Sequence, residues 1–495
     1  MNRAWFLSVF CLSSAVFAQT PCEQLKGLAF PDTVITEAAL VPAGRYVPPG
    51  GPAQGALQVP AHCRIAAVLK PTSDSEIGIE VWMPATGWNG KFEAVGGGGW
   101  AGVISYGAMA LAVEDGYATA STDTGHKGGD AVFALGHPEK VVDFSYRAVH
   151  EMTVKAKSFM ASFYGRAPRF SYWNGCSTGG RQGLMEAQKY PEDFDGIVAG
   201  APANYQTHLH AWSVAVGMAA LKDKESALTP SDLALLHNAV IAACDGMDGV
   251  ADGLLNDPRK CHFDPASLRC RTSASENCLR DAQVEAIRKI YAPLKTQDGK
   301  LIFPPLMPGS ESGWTILAGG PEPAGVATGT FKYVARQDAK WDWRNFDPDR
   351  DTALADSNDR INATNPDLSA FQSRGGKLLM YHGWNDQLIA PENSINYYSS
   401  VLEKMGPNQD GWYRLFMMPG MQHCRGGPGP NQFNMMGVME RWRESNTPPA
   451  QILASHVSDN RVDMTRPLCP YPQVAEWSGT GNTSDASNFA CRMPR

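Results

Sequence analysis

Three residues in this sequence have the types and neighbours that nucleophilic acyl transfer requires. Ser177 sits in Gly175-Cys176-Ser177-Thr178-Gly179. In a G-x-S-x-G element the small residues two before and two after let a serine occupy a sharp strand-to-helix turn that passes close to its neighbours. A serine hydroxyl needs a base, and the base needs an acid to orient it; hydrolases with this turn supply them in the chain order serine, acid, histidine. Asp386, in His382-Gly383-Trp384-Asn385-Asp386, and His423, in Pro419-Gly420-Met421-Gln422-His423-Cys424, obey that order. Taken singly, each has a plainer reading: Asp386 as a helix cap ahead of Pro391, His423 as a loop histidine.

The cysteines join two of the three. Met1 to Ala18 read as a signal peptide, with Arg3 as the positive start, an apolar stretch, and Val16-Phe17-Ala18 as the cleavage pattern. The 11 cysteines become ten once Cys11 leaves with it, an even number for an oxidising compartment, secreted or periplasmic. Closeness in sequence suggests Cys22 with Cys63, Cys244 with Cys261, Cys270 with Cys278 and Cys469 with Cys491, leaving Cys176 and Cys424. Those two flank the serine and the histidine. If Ser177 and His423 hydrogen-bond, the leftover thiols fall within reach of a disulfide, whose Cα atoms lie about 5.5 Å apart.

These residues need elements that position them. Apolar segments at 91–95, 117–121, 170–173, 196–199, 377–381 and 413–417 read as strands, several followed by Gly-rich turns and helical patterns. Strands alternating with helices imply a largely parallel sheet, with ligands at the carboxyl ends of its strands. Ser177, Asp386 and His423 all follow such strands. The rhythm breaks between, so the expected fold is an α/β-hydrolase core, residues 19–204 and 366–495, with an inserted lid at 205–365. Within that insert Trp314, Trp341 and Trp343 are candidates either to wall an aromatic acyl group or to form lid core.

A net charge of -7 with no polybasic run leaves no field for phosphate backbones, so nucleic acid is not expected as a partner. No apolar run after the signal peptide approaches the roughly 20 residues that span a bilayer, and no membrane partner is expected. Gly97-x-Gly99-x-x-Gly102, with Asp123 further on, imitates a dinucleotide fingerprint. That reading leaves the serine, acid and histidine unexplained. The loop from Asp245 to Leu254 sets carboxylates and carbonyls at alternating positions between Cys244 and Cys261. Oxygen donors suit a hard cation such as Ca²⁺, although the register is not that of an EF-hand and a solvated acidic turn remains the alternative.

Gly175-Cys176-Ser177 with Asp386 and His423-Cys424 resembles the CS-D-HC arrangement of the tannase and feruloyl esterase family. The resemblance extends over nearly the whole mature chain, through Gly-Cys-Ser-Thr-Gly-Gly-Arg-Gln-Gly at 175–183, Tyr381-His382-Gly383, the Gly-rich segment after Cys424, and Arg466-Pro467-Leu468-Cys469-Pro470-Tyr471-Pro472. It implies five disulfides in the pattern above. It also implies an oxyanion hole from the amides of Thr178 and Gly99, and a structural Ca²⁺ held by Asp245, Asp248 and Asp252 with the carbonyls of Val250 and Leu254. The implied activity is ester hydrolysis: feruloyl and other hydroxycinnamoyl esters first, gallate esters or the terephthalate half-ester as alternatives. The substrate would be a small aromatic ester, carried on plant polysaccharide or polyphenol. A non-catalytic calcium-dependent binding module is the remaining reading from another class.

Overall fold

The computed structural model describes residues 20–494 except 101, 273–276 and 358. The expected signal peptide, 1–18, lies outside them. A nine-stranded sheet organises the chain. Its strands are β1 (Thr33–Val41), β2 (His62–Leu69), β3 (Ile77–Pro84), β4 (Lys91–Val95), β5 (Ala118–Thr122), β6 (Phe170–Cys176), β7 (Gly196–Gly200), β8 (Lys377–Gly383) and β9 (Tyr413–Met418). They lie in the order β1-β2-β3-β5-β4-β6-β7-β8-β9. From β5 to β9 every neighbouring pair is parallel, and β1, β2, β3 and β5 are joined antiparallel. This is an α/β-hydrolase core.

The parallel strands are the ones the sequence announces. β7 (Gly-Ile-Val-Ala-Gly) and β8 (Lys-Leu-Leu-Met-Tyr-His-Gly) are buried at every position, because helices cover both faces of a parallel sheet and its strands read as unbroken apolar runs. The antiparallel edge carries no such signal. β1 buries only Ile35 and Ala38, and β2 and β3 bury a charge pair, Arg64 Nε donating to Glu80 Oε2 at 2.8 Å. Those charges interrupt the apolar pattern, and the three strands were not among the six expected.

Helices α1 (Tyr106–Glu114), α2 (Ala148–Tyr164) and α3 (Thr178–Lys189) follow β4, β5 and β6. Between β7 and β8 the chain leaves the sheet and forms α4 (Gln206–Leu221), α5 (Pro230–Cys244) and α6 (Asp281–Ile290). That segment has an apolar cluster of its own. Trp314, Trp341 and Trp343 belong to it, at 0%, 7% and 3% exposure; they are core of the insert. The chain re-enters at β8, and α7 (Glu392–Met405) and α8 (Met435–Ser445) complete the cover. Among the described residues no helix is long and apolar enough to cross a membrane.

All five expected cysteine pairs are formed: Cys22–Cys63, Cys176–Cys424, Cys244–Cys261, Cys270–Cys278 and Cys469–Cys491. Five disulfides mark a chain that matures in an oxidising compartment.

Candidate active site

β6 ends at Cys176 and α3 begins at Thr178, leaving Ser177 alone in the turn with φ 63° and ψ -123°. An L-residue at positive φ is strained and persists only where its surroundings fix it. Here the backbone does so: Ser177 N donates to Gly200 O at 2.9 Å, and Ser177 O accepts from the amides of Arg181 and Ala203, each at 3.1 Å. The flanking glycines have a steric reason. A Cβ on Gly175 would stand 2.5 Å from Gly179 O, and one on Gly96 2.6 Å from Gly179 Cα. Neither backbone can yield without moving β6 or α3, so Gly175→Ala should cost roughly 1–3 kcal/mol, read as a lowered denaturation midpoint with activity lost alongside.

The glycine loop after β4 is clamped against this turn. Gly97 N donates to Gln182 Oε1 at 3.1 Å, and the Thr178 hydroxyl donates to Gly99 O at 2.9 Å. His126 Nε2 lies 2.5 Å from Trp100 O, and the Trp100 indole donates to Val326 O of the insert at 2.7 Å. Gly99 takes φ +55° in this loop. Among the described residues the amides of Thr178 and Gly99 have no recorded acceptor, so both are free to donate to an oxyanion. The dinucleotide alternative fails on these contacts: Gly97 and Gly99 are bonded to Gln182 and Thr178 of α3, and Asp123 is spent on the amides of Gly78 and Gly125 at 2.8 and 2.9 Å.

β8 and β9 are parallel neighbours, and the loops leaving their carboxyl ends carry Asp386 and His423. His423 Nδ1 is 2.7 Å from Asp386 Oδ2. Asp386 is fully buried, and its Oδ1 accepts from the amides of Leu388 and Ile389 at 2.8 and 2.9 Å. A second imidazole, His382 Nε2, lies 3.0 Å from Oδ2. Next along the chain, Gln387 Oε1 accepts the His423 amide at 3.2 Å. The acid loop therefore holds both the ring and the backbone of the histidine. The Cys176–Cys424 disulfide, with Cα atoms 5.9 Å apart, ties the residue before the serine to the residue after the histidine. Among the described residues Ser177 Oγ and His423 form no hydrogen bond; nucleophile–base contacts commonly tighten only when substrate binds.

The charges agree with these contacts. Burial favours the neutral acid at Asp386, yet the opposing charge of His423 and the bonds from His382 and His423 hold it well below the usual carboxylate range. Burial likewise disfavours the His423 imidazolium, but the charge and hydrogen bond of Asp386 outweigh it and raise His423 above its ordinary 6.5. A general base must be neutral, so activity rises with pH through this pKa. The acidic limb of kcat/KM in the free enzyme should therefore lie above pH 6.5, which a pH profile checks.

In the acidic loop Asp245 Oδ1 accepts the amides of Asp252 and Gly253 at 3.2 and 2.9 Å, and Asp248 Oδ1 accepts that of Val250 at 3.0 Å. Asp252 Oδ1 accepts the amide of Leu254 at 3.1 Å, while its Oδ2 pairs with Arg466 at 2.6 Å. Among the described residues no group of three or more His, Cys, Asp or Glu side chains is disposed to hold a metal ion. The donor chemistry nonetheless suits a hard cation. Burial raises Asp248, the Val250 amide and the Arg466 guanidinium oppose that rise, and the charges of Asp252 and Asp245 add to it. A cavity of about 340 Å³ beside this loop is lined by Met247, Asp248, Lys260, Val474 and Met493. No residue of the serine, acid and histidine set lines it.

A sequence profile described as "Tannase and feruloyl esterase" matches residues 63–316 and 317–492. The chain belongs to that family. This tannase and feruloyl esterase family member is a carboxylic ester hydrolase. It is similar to an uncharacterized esterase of Xanthomonas campestris, 35% identical over 98% of this chain and 93% of that one. It is also similar to a probable feruloyl esterase B-2 of Neosartorya fischeri, 33% identical over 99% and 100%. Among solved structures, feruloyl esterase B from Aspergillus oryzae superposes with a TM-score of 0.90 at 32% identity, covering 95% of this chain and 99% of that one.

The sequence left several contributors unnoticed: Gln182, Trp100 and His126 on the glycine loop, Gln387 on the histidine backbone, and His382 on Asp386. Gln182 and His382 lie in the motifs around Ser177 and Asp386, and their spacing from those two residues is the signal the sequence carries.

Proposed function

We propose that this protein hydrolyses esters of aromatic acids through an acyl-enzyme, with Ser177 as nucleophile. His423 takes the Ser177 proton as the hydroxyl oxygen attacks the ester carbonyl, and Asp386 stabilises the imidazolium and fixes its tautomer. The amides of Thr178 and Gly99 donate to the tetrahedral oxyanion. Collapse expels the alcohol, protonated by His423, and leaves an acyl-serine. Water, deprotonated by His423, then releases the acid. The observation that carries this reading is the bond from His423 to buried Asp386, together with the disulfide tying the histidine loop to the serine turn.

Hydroxycinnamoyl esters come first because relatives of similar length bear the name feruloyl esterase. Gallate esters and the terephthalate half-ester are the alternatives. Methyl ferulate, methyl gallate and mono(2-hydroxyethyl) terephthalate, offered in parallel with release of free acid measured, separate them. Fastest turnover is expected on methyl ferulate. Cleavage of other esters and none of these three would overturn the aromatic assignment and leave the esterase standing. The five disulfides and the signal-like leader support export, to the periplasm or outside the cell.

The insert acts as a lid in this reading, and the acidic loop binds a structural Ca²⁺ through Asp245, Asp248 and Asp252 with the carbonyls of Val250 and Leu254. The oxygen donors set at alternating positions of this loop support it. Chelation with EGTA should then lower the thermal midpoint by several degrees, and added Ca²⁺ should restore it, since a ligand bound only to the folded state stabilises by about 3 kcal/mol at a hundredfold excess over Kd. An unchanged midpoint would make the loop a solvated acidic turn.

A further inference from the structure

Asp386 receives two imidazoles, and the serine, acid and histidine reading uses only one. His382 lies at the end of β8, four residues before Asp386, and is fully buried. Its Nε2 is 3.0 Å from Asp386 Oδ2 and 3.1 Å from Ile389 O, and its Nδ1 is 2.7 Å from Ser394 Oγ. An ionised carboxylate and a backbone carbonyl can only accept. Nε2 therefore carries a proton and gives a forked bond to both. With that proton on Nε2, Nδ1 is the nitrogen that can accept, and the Ser394 hydroxyl at the start of α7 can donate to it. Ser394 is itself fully buried, so water does not compete for its proton. Ring, hydroxyl and carboxylate satisfy one another in a single arrangement of hydrogens.

We propose that His382 is a positioning residue for the catalytic base: its Nε2–H holds Asp386 Oδ2 in the orientation that receives His423 Nδ1, and Ser394 fixes the tautomer that makes this donation available. The assignment rests on the serine-hydrolase reading above. The two amides on Oδ1 restrain one carboxylate oxygen, and His382 restrains the other, the one His423 uses. A second donor on Oδ2 also draws off electron density and makes that oxygen less basic toward His423. Loss of the donor has two consequences. The carboxylate is aimed less well, so the His423 ring it orients presents Nε2 to the Ser177 hydroxyl less often and kcat falls. Oδ2 becomes more basic, so His423 in the free enzyme holds its proton to higher pH. Substrate binding involves neither group, so KM should stay where it is. A residue that only filled space or held the loop would lower the thermal midpoint without moving the pH profile.

The test compares His382→Leu, His382→Gln and Ser394→Ala with the parent protein and Ser177→Ala. For each, kcat, KM and the pH dependence of kcat/KM are measured on an ester the parent cleaves, together with the thermal midpoint. His382→Leu should lose about 10- to 100-fold in kcat, the range of a charge-assisted hydrogen bond, with KM within about twofold and the acidic limb displaced to higher pH. His382→Gln, whose amide can still donate to Oδ2, should recover most of the rate. Ser394→Ala leaves the ring in place but unlocks its tautomer, and should lose roughly 3- to 10-fold in kcat; it carries the test if His382→Leu does not fold. If Ser177→Ala is inactive while His382→Leu and Ser394→Ala keep the parental kcat and acidic limb, the His382 assignment is overturned and the serine-hydrolase reading stands. If Ser177→Ala keeps parental turnover, both fall together.

Discussion

Ser177→Ala should lose ester hydrolysis by a factor on the order of 10⁵ or more, with a thermal midpoint close to the parent's. The size follows from the role: removal of a nucleophile from a serine, histidine and acid set leaves only what substrate binding and the oxyanion donors supply. The expectation of an intact fold follows from the contacts. Ser177 is held in its strained turn by main-chain bonds to Gly200, Arg181 and Ala203, and alanine keeps all of them. Release of free acid from methyl ferulate and a thermal melt measure the two halves. A variant retaining even a hundredth of parental turnover would be incompatible with an acyl-serine.

Asp386→Asn should be nearly as severe, about 10⁴-fold in kcat, and for a reason specific to this pocket. Every acceptor position of the carboxylate is in use: two amides bond Oδ1, and two imidazoles bond Oδ2. Asparagine has one oxygen. If that oxygen stays with the amides of Leu388 and Ile389, its NH₂ faces His423 and forces Nδ1 to accept, which puts the imidazole proton on the nitrogen that must receive the serine's. If it turns round, the NH₂ meets two buried N–H groups and loses both bonds. The first arrangement holds the base in the wrong tautomer, and the second keeps the right one only by leaving the buried amides of Leu388 and Ile389 unpaired. With the negative charge gone, burial acts on His423 unopposed, so its pKa falls and the remaining activity should show an acidic limb displaced to lower pH. Kinetics of the variant across pH check both statements, and an unmoved limb would mean that Asp386 does not set the charge of His423.

Much of this site was legible because each piece is locally encoded. The Ser177 turn needs Gly175 and Gly179 for a close crossing, and close crossings leave glycines in the sequence. Asp386 and His423 follow strands whose burial on both faces makes them readable. The cysteines supplied the one long-range constraint, joining positions 248 residues apart. The start of α3 was less legible: the helix begins at Thr178, where Gly179-Gly180 weakens the local propensity that tertiary packing overrides. The antiparallel edge went unseen because Arg64 and Glu80 pair inside it. The tryptophans of the insert could not be placed because an aromatic residue suits a pocket wall and a core equally well, and only packing decides. The contacts to His382 and Gln387 were invisible for a related reason: each is a hydrogen bond whose geometry exists only once β8, β9 and the loops beyond them are side by side.

The most direct test of the central claim is chemical. Folded, disulfide-intact protein treated with a fluorophosphonate, then digested and analysed by mass spectrometry, should carry a single adduct on the peptide containing Ser177, and Ser177→Ala should carry none. Folded protein that hydrolyses an ester but takes up no label, or takes it up on another residue, would contradict the assignment of Ser177 as the nucleophile.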